Sequence, residues 1–154
     1  MTMSDLVVVM ENGCVEQVGP PLDVYRRPAT AFVARFIGST NLLEGRAQAN
    51  GRVRVKDAEF DVEGGLSDHD GDPVVISVRP EEAHLSVDDA AGDNALTGTV
   101  VFVRDLGELF ECFVDCGMDE HVIVAGSPRD WVPVRQGAEV AVLFPAEACV
   151  VVTS

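Results

Sequence analysis

Lysine is almost missing from this chain. Of the 11 basic residues all but Lys56 are arginine, and they face 26 acidic residues for a formal net charge of −15. Charge of that sign repels phosphate backbones and argues against a nucleic-acid partner. Aromatic residues are scarce too: one Trp and one Tyr leave few platforms on which bases could stack. Long apolar runs are absent. The longest, such as Leu6 to Met10, have five residues and fall far short of the roughly 20 residues of a membrane-spanning helix. The first residues, MTMSDLVVVM, have neither a basic start nor a cleavage site, so no signal peptide is expected and the chain reads as soluble and intracellular. Also missing is any GxxxxGK[ST] phosphate loop, and with it a hydrophobic strand ending in a magnesium-positioning acidic pair. The chain alone is therefore not expected to bind or hydrolyse ATP.

Metal and redox chemistry are equally short of residues. The four cysteines (Cys14, Cys112, Cys116 and Cys149) supply no second closely spaced pair, and His121 alone does not complete a zinc framework. Cys112, Val114 and Cys116 fall on one face of a strand pattern, and all four cysteines are expected to be plain buried thiols. His69, His84 and His121 have no spacing for a triad or a metal site. The acidic neighbours Asp105 and Glu108, and Glu111 and Asp115, lack a nucleophile or histidine and read as a solvated face. No catalytic, cofactor-binding or metal-binding residue is assigned.

What is present is enough for a folded protein: 154 residues and 47% hydrophobic content allow one good core, or one domain and a fragment. The acidity carries two readings, a solvated surface or a surface suited to a salty cytoplasm, where added salt would raise stability.

Leu6 to Met10 reads as a strand buried on both faces, Glu11-Asn12-Gly13 as a turn, and Val15 to Val18 as the returning strand. In that strand Val15 and Gln17 share one face, and Glu16 and Val18 the other. Gly19-Pro20-Pro21 stops it, and a short helix follows over Leu22 to Arg27. Thr30 is placed to cap a second helix, in which Phe32, Val33, Phe36 and Ile37 form one apolar stripe and Gly38 the C-terminal cap. From Leu42 onward the chain changes character. Short strands are expected over 42–49, 52–55, 58–62, 74–78, 84–87, 96–105, 109–116, 120–125, 138–144 and 149–152. They are joined by turns rich in Gly, Asp and Pro and by acidic loops at 63–73 and 88–94. Repeated short strands of this kind imply a barrel or sandwich.

The segment VVVMENGCVEQVGPPLDVYRRPATAFVARFIGSTNLLEG resembles the end of the nucleotide-binding domain of importer-type ABC transporter ATPases. The likeness lies in the N-G turn, E-Q-V-G-x-P, Y-x-R-P and F-V-A-x-F-I-G at this spacing. The resemblance covers ATPases for sugars, glycerol phosphate, iron and polyamines. It implies residues 1–40 as the remnant of the nucleotide-binding domain with its linker helices, and 41–154 as a TOBE-type regulatory domain with an OB-like β-barrel. The fold class expected is mainly β, preceded by a hairpin and two short helices.

By the same resemblance, a full-length parent would be an ATPase using ATP and Mg, attached through permease subunits to the inner face of the cell membrane. The family's signature sequence and switch histidine would precede Met1, making this an excised domain or a truncated product. Polyamine-type transport is slightly favoured over sugar or iron. A homodimer is expected, with exchanged N-terminal segments as one form of it, because an apolar strand edge pairs readily with a second copy. Within 76–86, ISVRPEEAHLS resembles the R-P-E segment of TOBE domains. Arg79, Pro80 and Glu81, together with Gly107 in the strand-turn-strand VVFVRDLGELFECFVDCG, form the candidate surface for a partner subunit, regulatory protein or ligand. The bland reading of Arg79 is a corner residue paired with a carboxylate. The alternative function is a free-standing oxyanion-binding module, which TOBE-like modules of molybdate-binding proteins suggest. The acidic balance opposes it, since an anion site needs positive charge or free amides.

Overall fold

The computed structural model describes residues 3–66, 70–88 and 92–153. His69 and parts of both acidic loops lie outside the described residues. The chain opens with a hairpin of β1 (Val7–Glu11) and β2 (Cys14–Gly19), turned at Asn12-Gly13, followed by α1 (Pro21–Arg26) and α2 (Ala31–Ile37). Val9, Val24 and Val33 are buried together, with Val7, Phe32 and Ile37 packed against them.

Three expectations for this region are corrected. β1 is not buried on both faces: Val8 and Met10 are half-exposed, because a two-stranded sheet has helices on one side only. The register shifts between Val9 and Met10, where Val8 faces Val18 and Met10 faces Val15. The extra residue resets the alternation and puts Val15 and Val18 on the same outer face. In α2 the buried residues are Val33 and Ala34, whereas Phe36 is 67% exposed, its ring 5.7 Å from that of Phe32. Thr30 does cap α2, its Oγ1 accepting the Val33 N–H at 3.2 Å. Gly38 is the C-terminal cap, as expected, and leaves the helix in an extended conformation (φ 167°).

The rest of the chain is β. One five-stranded sheet has the order β12-β6-β3-β4-β5, built from β3 (Asn41–Ala47), β4 (Val53–Val55), β5 (Ala58–Phe60), β6 (Pro73–Val78) and β12 (Val150–Val152). The other has the order β10-β9-β8-β11-β7, from β7 (His84–Ser86), β8 (Ala95–Asp105), β9 (Phe110–Asp115), β10 (Val122–Gly126) and β11 (Glu139–Leu143). All these pairings are antiparallel. Alternation supplies one inner face per sheet: Leu43, Val53, Val55 and Ile76 from the first meet Val100, Cys112, Val114 and Val142 from the second in one core. Phe60 and Phe144 meet within it, ring centroids 5.6 Å apart.

Close packing between β3 and β4 requires Gly45. A Cβ there would lie 2.6 Å from Val53 Cγ1 and 2.7 Å from the Arg54 carbonyl oxygen. Gly45→Ala is therefore expected to cost about 1–3 kcal/mol, read as a lower denaturant midpoint with an unchanged slope.

Two asparagines close the gap between the sheets. β4 pairs only with the far end of β3, through Arg46 and Ala47. At the near end, Asn41 donates from Nδ2 to the Ile123 carbonyl at 2.8 Å and accepts the Ile123 N–H on Oδ1 at 2.7 Å. A side-chain amide here replaces a strand, pairing with the outer edge of β10. At the opposite junction Asn94 does the same for Asp61, accepting its N–H at 2.7 Å and donating to its carbonyl at 2.8 Å.

Cys112, Cys116 and Cys149 are buried as expected, whereas Cys14 is exposed beside the hairpin turn, a further correction. Burial pushes the Cys112 and Cys116 thiols up to about 11 and the Cys149 thiol up to about 12. Those three stay protonated at neutral pH and inert. Native thiol counting with a maleimide is expected to label Cys14 alone, and all four after denaturation.

Candidate functional site

β6 leaves the core at Val78 and turns through Arg79 into a short 3-10 segment, Pro80–Glu82. Arg79 is only 4% exposed. Its guanidinium reaches back to the carbonyl ends of both helices. Nη2 and Nε donate to the Tyr25 carbonyl at 2.8 and 3.2 Å, and Nη1 donates toward the carbonyls of Ala34, Ser39 and Gly38 at 3.0, 3.1 and 3.3 Å. These are the acceptors that a helix leaves unpaired in its last turn, at the negative end of its dipole. The guanidinium also stacks over the Tyr25 ring, 4.2 Å from its centroid. Its partners are thus backbone carbonyls, not the carboxylate of the bland reading, and burial lowers its pKa.

The corner is tied once more through Tyr25, whose hydroxyl donates to Glu81 Oε1. Burial and that acceptor push the Tyr25 pKa up to about 12. Burial, then the neighbouring Glu81, raises that of Glu82. Beyond α1 the linker makes another attachment. The Ala31 N–H donates to the Thr153 carbonyl at 2.8 Å, and the Thr153 N–H to the Ala29 carbonyl at 3.2 Å, a parallel bridge at the end of β12.

The four residues singled out from the sequence do not form one patch. Arg79 and Pro80 are buried and Glu81 is exposed. Gly107 sits in the β8–β9 turn at φ +85°, its N–H accepted by Asp105 Oδ1 at 2.8 Å. Glu81 and Leu109, from that same turn region, do line one cavity of about 360 Å³ at the end of β10, together with Trp131. Tyr25, Asn41 and Trp131 were not singled out beforehand, because their partners are main-chain atoms or distant segments that leave no local pattern.

A larger groove of about 750 Å³ runs over the outer face of the first sheet and carries Arg46, Arg54 and Lys56. Arg54 is paired with Glu59 at 3.0 Å, Arg46 with the Gly71 carbonyl at 3.0 Å, and Lys56 with the Cys116 carbonyl. Among the described residues no group of three metal-ligating side chains converges. Asp105 and Asp115 use their carboxylates to hold turn N–H groups, and Glu111 pairs with Arg104. His84 and His121 are exposed.

Two antiparallel sheets around a single core, with a helical linker pinned to one corner, define an OB-like β domain. The same architecture is found in the cytoplasmic molybdate-binding protein ModG in its molybdate-bound form. The TM-score is 0.60 at 14% identity, over 74% of this chain and 96% of that one. The model of the TOBE domain matches residues 76–152, and that of the CysA C-terminal regulatory domain matches residues 41–85. The chain belongs to the TOBE-domain family, in the form carried by ABC importer ATP-binding subunits.

Among the curated relatives, the spermidine/putrescine import ATP-binding protein PotA of Bacteroides thetaiotaomicron is 35% identical over 145 residues, 93% of this chain and 29% of that protein. The sn-glycerol-3-phosphate import ATP-binding protein UgpC of Rhodopseudomonas palustris is 37% identical over 152 residues, 96% of this chain and 37% of that protein. The chain thus spans about a third of the length of these two relatives.

Proposed function

We propose that this chain is the non-catalytic regulatory domain of an ABC importer ATPase that energises solute uptake, of the polyamine type rather than the sugar or iron type. In this reading residues 1–40 are the end of the nucleotide-binding domain with its linker, and 41–154 the TOBE-type regulatory domain. The observation that carries it is the match to importer ATP-binding subunits, which runs through both segments. The distribution of apolar surface supports it. Leu6, Val8, Met10, Val15, Val18 and Leu22 are all more than half exposed or close to it, whereas among the described residues beyond 41 only Val87, Phe102 and Leu106 are large exposed hydrophobics. An apolar face of this extent on the hairpin and α1 suits a missing neighbour, which the ATPase part of the parent would supply.

The domain would act as a homodimer, with the permease subunits contacted through the parent on the cytoplasmic side of the membrane. No helix among the described residues is long and apolar enough to cross a membrane. Joining this chain to the ATPase part of the Bacteroides relative tests the regulatory role: the fusion is expected to hydrolyse ATP at a rate different from the ATPase part alone. Identical rates, with the same response to added solutes, would refute it. A binding protein encoded beside this gene is expected to retain a polyamine. Light scattering at micromolar concentration tests the dimer, and a monomer contradicts it.

A further inference from the structure

The β domain closes several of its sheet edges with single bonds: Asn41 covers β10, Asn94 covers Asp61, and Ala31 meets Thr153 beyond β12. β8 is covered on one side for part of its length. β11 pairs there with Ala95 to Thr99, and the Ala138 carbonyl and Gly137 N–H take up Val100. Val101 is then the extra residue of a bulge, since Val100 faces Val114 and Phe102 faces Phe113. Past that bend, among the described residues, no strand pairs with this side of 102–105. Both ends of the segment fix which groups are left open. Val100 turns its N–H and carbonyl to β11, and the Leu106 N–H donates to the Leu109 carbonyl inside the β8–β9 turn. Antiparallel alternation, reset once by Val101, then points the main-chain groups of Phe102 and Arg104 at β9. Those of Val103 and Asp105 face the open side.

Open edges are commonly guarded by lysine or proline, and the sequence VFVRD at 101–105 contains neither. The cation present, Arg104, is folded back on Glu111 and lies over the Phe113 ring, 5.6 Å from its centroid. The face beside it is apolar: half-exposed Phe102, then Phe113 and Ile123, stand in one row across β8, β9 and β10.

From these features we infer that this edge joins two copies of the chain, β8 pairing antiparallel with β8 about a twofold axis at Val103. The inference rests on the homodimer of the proposed function and gives it an interface. Each Val103 would donate to its counterpart and accept from it, joining the second sheets of both copies into one. Residues 101–105 of each copy fit the gap, since the β8–β9 turn ends where the other copy's β11 begins. On the outer face the axis sets Phe102 against Arg104 of the partner subunit, a ring beside a cation with the two cations apart. A centre at Asp105 would set two carboxylates together instead. Each copy carries a net charge of −15, so two copies repel over most of their surface. Residues 101–104, which would form most of the contact, carry no carboxylate.

Val103→Pro in the whole chain removes the outward N–H and spares the β9 ladder, and proline is tolerated on an open edge. It is expected to raise the dimer dissociation constant by about tenfold or more in sedimentation, since the axis repeats the lost bond. A second variant does not depend on how proline packs. Val103→Cys is placed in a Cys14→Ser background, where the three remaining native thiols are buried. Mild oxidation is expected to link it as a dimer, because Cα atoms in such a hydrogen-bonded pair lie about 5.5 Å apart, within disulfide reach. Val87→Cys in the same background, at a site that is also exposed, is expected to give no such link. The interface is refuted, and the homodimer left standing, if the parent dimerises but Val103→Cys links no better than Val87→Cys. It is equally refuted if a folded Val103→Pro dimerises like the parent. A parent that stays monomeric at micromolar concentration overturns the homodimer and this interface together.

Discussion

Arg79→Ala is expected to lower the melting temperature of this chain by about 6–12 °C, the shift that about 3 kcal/mol produces in a domain of this size. Arg79 serves four carbonyl oxygens at once, those of Tyr25, Ala34, Gly38 and Ser39. Alanine would take this donor from the buried Ala34 carbonyl and from the half-buried carbonyls of Tyr25 and Gly38, and an unsatisfied buried acceptor costs about 1–3 kcal/mol. Loss of the stack on Tyr25 adds to this. The damage should be local. Amide exchange is expected to rise in α1 and α2, while the strands around Val100 and Val114 stay protected, since they share a different core. Arg79→Lys is expected to recover only part of the loss, because an ammonium cannot span acceptors from two helices as the planar fork does. Unchanged melting in both variants would show that the helices are held by their apolar contacts alone.

Asn41→Leu should be nearly as costly, about 2–3 kcal/mol, because it strips both a donor and an acceptor from the half-buried main chain of Ile123. Leucine is close to asparagine in size, so the loss is one of hydrogen bonds rather than volume. Ile123 would keep its pairing to Phe113 across the β9–β10 ladder, yet its N–H and carbonyl would face an apolar side chain.

Asn41→Asp gives a sharper test through pH. The introduced carboxyl is buried and faces a carbonyl, so its pKa in the folded state rises above the unfolded value. Such a group binds more protons in the folded state near neutrality. Stability relative to the parent is then greatest below the unfolded carboxylate pKa and falls as pH rises through the folded one. The variant is expected to approach the parent at about pH 4, where the protonated carboxyl can donate to Ile123, and to be clearly weaker at pH 7. Equal deficits at both values would mean that the pair contributes little.

Much of this architecture was legible beforehand, and the reason lies in particular residues. Strands such as Phe110–Asp115 alternate cleanly, and Gly51, Gly107 and Gly117 mark their turns at positive φ. The β elements therefore fall within a few residues of expectation. What escaped was anything set by a partner distant in sequence. The bulge opposite Val9 depends on how β1 and β2 align, and it reversed the facing of Val15. Phe36 has helical spacing with Phe32, but whether a helical stripe is covered depends on what lies opposite it, and here the cover stops at Val33 and Ala34. The R-P-E corner was found by its resemblance, but the acceptors of Arg79 are main-chain oxygens 40 to 54 positions away. Such oxygens occur in every residue and carry no signal. Asn41 was invisible for the same reason.

Two of the attachments between the helical linker and the β domain lie side by side. Arg79 follows β6, Thr153 follows β12, and these two strands are neighbours in the sheet. A single attachment would behave as a swivel, free to turn about one axis. Two attachments on adjacent strands remove that freedom, so a displacement of α2 is handed to the sheet as torque. In mechanical terms the β domain is rigid with its mount, so a small rotation of the linker would be carried into the sheet as a whole.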